Sequence, residues 1–340
     1  MPADRFPTPG DDGAVPPDAR VAAAERRAAA RLDRAIADLL PDAGPGLDER
    51  TRVAAGRLLE SGVGAIERDL IAQLRDVALP NDFDAYARLR AAGVLREPAL
   101  MAEVIAQARI AALDEALVAQ RMPGSAPGFL VRLGEAGDRQ VRAETLAYLV
   151  ADNGRRVMGG ELPVALHRRL VWWTVAVMRE HVGAGADRAL AEAAERVLAA
   201  RASRDDAAAA AMRLAAAIDA RADEHAHVLI DTLREGHVAL FAAVLARALG
   251  IDAAEAQAIV LDPEGERLWL ALRALSLPRA AMARIGWALG EADAARDVES
   301  LPDALAAIDH VGPDDAARAL ATLALPGEFR DAVRTLGRAA

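Results

Sequence analysis

The residues of this chain best suited to chemistry are its histidines and the carboxylates near them. Asp223, His227 and Asp231 follow one another at four-residue spacing, which places them on one face of a helix. A carboxylate, an imidazole and a carboxylate in such a row could bind a divalent metal ion or tune a proton-transfer histidine. His237, in the stretch LREGHVALFAAVLARALG, could join them in three dimensions. These four residues form the candidate metal site of the sequence.

The same stretch also fits a solvated polar face on a packed helix. The opposite side of that helix carries Val228, Leu229 and Leu233, which would face a core. The two carboxylates of the row are about 12 Å apart along the helix axis, too far for both to bind one ion. We therefore keep the metal site as the alternative. We expect Gly236 to turn the chain between two antiparallel helices and His237 to lie in the first turn of the second, without a chemical role.

Two residue types that carry much enzyme chemistry are missing from the chain. None of its 340 residues is cysteine, and all 41 basic side chains are arginine. Without lysine there is no P-loop lysine and no Schiff base, and without cysteine there is no thiolate nucleophile and no Cys-ligated zinc or cluster. No serine lies in a G-x-S-x-G motif. These observations favour a non-catalytic protein without a cofactor.

Gly62-Val63-Gly64 resembles the start of a dinucleotide-binding loop. Such a loop needs a third glycine and a surrounding βαβ unit, and the sequence offers neither. We therefore interpret these glycines as the end of a helix and a turn.

Charge and hydropathy exclude two classes of partner. A formal net charge of −10 repels phosphate backbones and anionic lipid, so nucleic acid is not an expected partner. The longest apolar run, LVWWTVAVM at 170–178, is about half the length that crosses a bilayer, so no membrane span is expected. The Pro-rich, acidic start lacks the features of a secretory signal, which predicts a disordered tail on a cytoplasmic protein.

The elements that would position all of these residues are helices. Apolar residues recur every three or four positions in 188–201, 237–249 and 278–289, and the periodic stretches end at proline or glycine. Apolar residues make up 53% of the chain and aromatic residues 3%, a balance that suits closely packed helices. The sequence predicts an all-α fold without strands.

The many short helices predict a degenerate HEAT-like array of helical hairpins, that is, a solenoid. We divide the chain into a disordered Pro-rich tail at 1–18, an N-terminal helical-repeat region at 19–160 and a C-terminal helical region at 161–340.

The helix LPVALHRRLVWWTVAVMREH, 162–181, has an unusually apolar centre between basic residues. It could be a core helix, an interface helix or a helix inserted into a membrane surface. Neighbouring residues diverge by about 100° around a helix, so one tryptophan can be buried while the other faces outward. Trp172 and Trp173 are therefore the predicted interaction residues.

The segment 233–285 resembles the C-terminal signature of the DUF2336 family of alphaproteobacteria. The matching residues are Leu233, Gly236, Leu240, Phe241, Asp262, Gly265, Leu268, Ala274 and Leu277. The stretches 89–124 and 134–154 are also similar to the family, and the resemblance extends over about 45–330. It implies a helical-repeat fold akin to HEAT or leucine-rich-variant arrays, and it brings no activity, ligand or catalytic residue with it.

The function expected from the sequence is a cytoplasmic, non-catalytic scaffold or adaptor that binds a protein partner. Solenoids offer extended surfaces for such contacts. Self-association as a homodimer through 162–181 fits the same picture. The alternative is a metal-dependent hydrolase or ligand sensor that uses Asp223, His227 and Asp231.

Overall fold

The computed structural model describes residues 16–38, 48–74, 80, 83–121, 128–158, 160–202 and 206–338. Within these residues the regular structure is helical and no strand is found, which confirms the predicted all-α class. The α-helices, in chain order, are α1 (Pro17–Asp38), α2 (Glu49–Gln73), α3 (Ala85–Ala91), α4 (Pro98–Ala119), α5 (Phe129–Gly134), α6 (Arg139–Met158), α7 (Val164–Val182), α8 (Asp187–Ala202), α9 (Ala207–Ile218), α10 (His225–Arg234), α11 (Val238–Leu249), α12 (Ala253–Val260), α13 (Glu266–Ala274), α14 (Arg279–Ala292), α15 (Leu301–Asp309), α16 (Pro313–Leu320) and α17 (Gly327–Arg338).

The predicted helix end at Gly62-Val63-Gly64 is wrong, because α2 continues through all three residues. Val63 is fully buried, and Ile66 and Leu70 of the next turns are buried too. Each glycine in a helix interior costs about 1 kcal/mol relative to alanine, whereas burial of one large aliphatic side chain contributes about 1.5 to 3 kcal/mol. Tertiary packing therefore outweighs the local preference of the glycines.

The start of the chain is only partly described. Residues 1–15 of the predicted tail lie outside the described residues. Pro17 and Asp18, which the sequence places in the tail, are the first two residues of α1. Proline suits this position because the first helical N–H groups have no partner inside the helix.

Two hydrophobic clusters form the core. The first contains α9 to α16 together with residues of α1, α5 and α6, and the second contains α2, α3, α7 and α8. Helix α4 belongs to both, with Leu100 and Val104 in the second cluster and Ile110 and Leu113 in the first. Both clusters include helices from either side of residue 160. The division of the chain near that residue stays a prediction of the sequence.

Helix α11 lies at the centre of the first cluster. It contacts α9, α10, α12 and α4, and every side chain from Leu240 to Ala246 is buried. A helix that is apolar on all sides is one that other helices surround. The position of α11 therefore determines how its neighbours are arranged. No helix among the described residues has the length and apolar character needed to span a membrane.

We predict that Phe241→Ala lowers the free energy of unfolding by about 3 to 5 kcal/mol, since Phe241 is fully buried and its removal leaves a cavity. Urea denaturation followed by circular dichroism measures the change. The matched control is Phe329→Ala in α17, where the side chain is 57% exposed and the cost should stay within about 0.5 kcal/mol. Equal effects of the two substitutions would contradict the central position of α11.

Candidate functional site

The turn between α10 and α11 consists of Glu235, Gly236 and His237. Gly236 has a φ of +68°, in the left-handed region that favours glycine. A Cβ atom on this residue would lie 2.6 Å from the backbone oxygen of Asp114 in α4. Glycine is therefore required both for the turn, as the sequence predicts, and for the close approach of α4.

Two acidic side chains cap helix N-termini around this turn. The buried Glu235 accepts hydrogen bonds from the backbone N–H groups of Phe129 and Leu130 at the start of α5. Asp114 accepts a hydrogen bond of 2.8 Å from the backbone N–H of Val238, the first residue of α11. The first N–H groups of a helix have no partner within it, and a carboxylate there also interacts favourably with the helix dipole. The turn thus connects α4, α5 and α11.

Four charged side chains surround the turn, and we call Asp114, Asp152, Arg155 and Arg156 the Arg155 network. Arg155 Nη2 lies 2.5 Å from Asp114 Oδ2 and 2.7 Å from Asp152 Oδ1. Arg156 Nε lies 2.7 Å from Asp152 Oδ2, and its Nη2 donates a hydrogen bond of 2.6 Å to the backbone oxygen of Gly236. The first three side chains are almost fully buried. Two carboxylates thus balance two guanidinium groups.

His237 lies one residue before the first turn of α11, where the sequence placed it, and its side chain contacts α6. His237 is the N-cap residue of α11, and its side chain is only 14% exposed. Its Nδ1 lies 3.3 Å from the hydroxyl of Tyr148 and 3.5 Å from Asp152 Oδ2. Burial raises the pKa of Tyr148 well above its usual value, so the phenol stays protonated. The sequence could not indicate these contacts, because α6 reaches the turn through tertiary packing.

The environment of Asp152 favours its ionised form. Burial alone would raise the pKa of this carboxyl, but His237, Arg155 and Arg156 hold it well below its usual value of 3.8. The pKa of Arg155 is raised, because Asp114 and Asp152 outweigh the effect of its own burial. Burial raises the pKa of Asp114, against the effect of Arg155, Arg156 and the backbone N–H of Val238, so Asp152 is the carboxyl of the network whose ionised form is favoured. This arrangement stabilises the position of α6 against α4 and the turn.

The residues of the candidate metal site are dispersed. Asp223 precedes α10 in an exposed turn, and His227 is exposed on α10. Asp231 forms an ion pair of 2.7 Å with Arg132 of α5. His237 lies with Tyr148 and Asp152 instead. No group of three or more histidine, cysteine, aspartate or glutamate side chains in the described part of the chain is placed to hold a metal ion.

The two tryptophans of α7 face different surroundings. Trp172 is 38% exposed, whereas Trp173 is partly buried and packs against the second hydrophobic cluster. This difference matches the 100° divergence of neighbouring residues on a helix. Their role as interaction residues stays a prediction.

A different helix carries a larger exposed apolar surface. Leu146, Leu149, Val150 and Val157 lie on the outer side of α6, and we call them the α6 stripe. The exposed fractions are 61% for Leu146 and 76% for both Val150 and Val157. Their spacing of three, four and seven residues keeps them on one face. The sequence does contain a signal for this stripe, because α6 has apolar residues on two faces. One face includes the buried Tyr148, and the other is the α6 stripe.

The charges beside the α6 stripe are positive. Arg139 and Arg142 are exposed at the beginning of α6, and Arg156 is partly exposed near its end. Of the acidic residues on this helix, Asp152 is buried and Glu144 forms an ion pair with Arg213. The outer face of α6 is therefore apolar and basic on a chain whose net charge is −10.

We predict that Asp152→Asn lowers the free energy of unfolding by about 3 to 5 kcal/mol at neutral pH, because it leaves the two guanidinium groups of Arg155 and Arg156 with the single carboxylate of Asp114. The control Asp187→Asn removes a surface ion pair with Arg179 and should cost less than about 1 kcal/mol. Chemical denaturation measures both. A cost for Asp152→Asn no larger than that of the control would contradict the structural role of the network.

The difference in stability between the wild type and Asp152→Asn should also depend on pH. Because the pKa of Asp152 is lower in the folded chain, its ionisation stabilises the fold above the unfolded value of 3.8, and this contribution is lost as the pH falls toward the folded value. Denaturation curves from about pH 6 to about pH 3 should show the two proteins converging. A constant difference across that range would show that the carboxylate is not the group responsible.

The comparisons with known proteins agree with the resemblance found in the sequence. Residues 157–321 match the model of the family described as "Uncharacterised protein conserved in bacteria (DUF2336)". No curated protein matches the chain. No solved structure matches it either. The matched region extends from α7 to α16 and includes the Gly236 turn, while the stretches 89–124 and 134–154 precede it. Residues 157–321 of this chain therefore belong to the DUF2336 family.

Proposed function

We propose that the protein is a non-catalytic adaptor of the cytoplasm, a HEAT-like array of helical hairpins that binds an amphipathic helix of a partner protein along the α6 stripe. The observation that carries this proposal is the exposed apolar face of α6, with Leu146, Val150 and Val157 each more than half exposed. Large apolar side chains that line up on one ordered face are typical of interaction surfaces.

The size of the α6 stripe suits a helical partner. From Leu146 to Val157 it extends for about 17 Å, or three helical turns. A partner helix that presents apolar side chains at positions i, i+3 or i+4, and i+7 would cover this length. Leu149 is the least exposed of the four residues and lies at the edge of the surface.

Charge favours an acidic partner over a second copy of α6. Arg139 and Arg142 beside the stripe attract carboxylates on a partner helix. Two α6 helices packed on each other would bring these like charges together at a cost. A homodimer through α6 is therefore disfavoured, and the partner is an apolar helix flanked by Asp or Glu.

The Arg155 network supports the same proposal. It holds the inner face of α6 through buried ion pairs to α4 and to the Gly236 turn. A surface that is already rigid loses little conformational entropy when a partner binds. The ion pairs on the inner face of α6 therefore hold the outer face in the conformation that a partner would bind.

Consecutive helices that pack on each other would be the hairpin units of the HEAT-like array, while the most extensive contacts join α9 to α6 and α11, and α13 to α16. α7 packs on α8, α10 on α11, α11 on α12 and α14 on α15. Such sequential hairpins are the unit of helical-repeat proteins, which bind other proteins along their length.

We predict that Val150→Glu abolishes partner binding by the full-length protein while the fold is retained. The side chain is 76% exposed, so the substitution should change stability by no more than about 0.5 kcal/mol. Tagged proteins crosslinked in the native host and quantified by mass spectrometry reveal the partner. Binding is then measured with a synthetic peptide that carries the acidic amphipathic helix of that partner.

The matched control is Val333→Glu on α17, where a similarly exposed valine lies outside the α6 stripe. A second comparison, Trp172→Ala, tests the predicted surface of α7. The proposal is supported if Val150→Glu loses the partner while Val333→Glu and Trp172→Ala retain it. Partner loss with Trp172→Ala alone moves the interface to α7 and contradicts it, and recovery of the tagged protein without any partner contradicts an adaptor function.

A further inference from the structure

A cavity of about 590 Å³ lies where α1 and the beginning of α2 approach α4, the connection between α12 and α13, and the end of α14. The face of α4 that lines it carries the buried side chains of Ile105 and Leu113. The exposed side chain of Arg50 lines it too, so the cavity opens to solvent beside the start of α2. Its volume falls within the range of about 300 to 1,000 Å³ that is typical of small-molecule sites.

The walls of the cavity are mainly apolar, and alanines contribute from four helices. Ala28 lies on α1, Ala106 and Ala112 on α4, Ala258 on α12 and Ala292 at the end of α14. Because an alanine side chain ends at its Cβ atom, these helices leave space between them. Protein interiors are otherwise closely packed, with few voids larger than a water molecule. An apolar space of this size therefore suits a guest that is itself apolar.

The charged side chains around the cavity are already paired. The ion pairs at its wall are Arg31 with Asp262 at 2.6 Å, Arg50 with Glu115 at 2.9 Å, Arg109 with Asp293 at 3.1 Å, and Arg267 with Glu255 at 3.1 Å. The remaining carboxylate of the lining, Asp48, accepts hydrogen bonds from the backbone N–H and the hydroxyl of Thr51. Among the described residues, no charged side chain of this wall therefore lacks a partner for a ligand to replace.

The buried polar atoms near the cavity do not require a polar ligand either. Nε of Arg267 and Oδ2 of Asp262 make no hydrogen bond to the described residues, but they face each other at 3.6 Å, where opposite charges attract. Arg296, behind the wall, lies 3.6 Å from Asp293 and donates a hydrogen bond to the backbone oxygen of Val260. The polar groups of this region thus satisfy one another, and the surface left for a ligand is apolar.

We propose that the cavity binds a neutral small molecule that consists mainly of hydrocarbon. Burial of its apolar surface against the alanine walls would favour binding. A charged ligand of either sign would lose its hydration and find the side chains of opposite charge already engaged. A ligand that touches α1, α4 and α14 together binds the folded chain and stabilises it. No residue of α6 lines the cavity, so this proposal is independent of the α6 stripe.

The fluorescence of N-phenyl-naphthylamine, a neutral dye that brightens in apolar surroundings, tests the proposal on the full-length protein. We expect saturable binding of one dye molecule per chain and its displacement by decanol. Decanoate and decylammonium have a chain of the same length but opposite charges. Each should need a concentration at least about tenfold higher than decanol, because it would bury a charge without a free partner. Displacement by either ion as readily as by decanol, or no displacement by decanol, would overturn the neutral ligand.

Cavity-filling variants locate the site. Ala106→Phe places a large side chain in the cavity and should weaken dye binding by at least about tenfold, and Ala112→Phe is the second variant if the first does not fold. The matched control is Ala119→Phe on the same helix, where alanine is exposed and lies outside the lining, and it should bind the dye as the wild type does. Absence of saturable dye binding to the wild type, or binding that survives a folded cavity-filling variant, overturns the proposal.

Discussion

The buried ion pairs between α4 and α6 are the interaction on which the arrangement of the first cluster depends. Arg155 lies between Asp114 and Asp152 in a region almost without solvent, where an unpaired charge would cost several kcal/mol. Asp114 also caps α11, and Arg156 bonds to the turn that precedes it. The four side chains pair with one another and also bind the Gly236 turn. The position of α6 relative to α4 and to this turn is therefore closely fixed.

This constraint explains how α6 can present apolar side chains to solvent. A helix held only by hydrophobic contact would tend to rotate so that Leu146, Val150 and Val157 become buried. The ion pairs resist this rotation, because it would separate the buried charges of Asp152 and Arg155. The inner polar face and the outer apolar face of α6 are thus two parts of one arrangement. The α6 stripe is the surface that we propose for a partner.

The sequence predicted the structure best where a local pattern determines it. Helical spacing in 188–201 and 278–289 corresponds to α8 and α14, and the expected turn at Gly236 is present. It failed at Gly62 to Gly64, where burial of Val63 keeps α2 continuous. It also directed attention to the row of Asp223, His227 and Asp231, which the fold leaves dispersed.

The sequence by itself determined the helical class, the family of residues 157–321 and the absence of cysteine and lysine chemistry. The helical class follows from composition and from spacings within a single helix, and the family from a resemblance between stretches of sequence; neither needs knowledge of distant contacts. Only the tertiary structure decided that Asp114, Asp152 and His237 meet. Their separations in the chain exceed any helical repeat, and they come together because three different helices pack around Gly236. Which aspartate is buried in an ion pair and which valine stays exposed at the surface are decided by the packing of the whole chain.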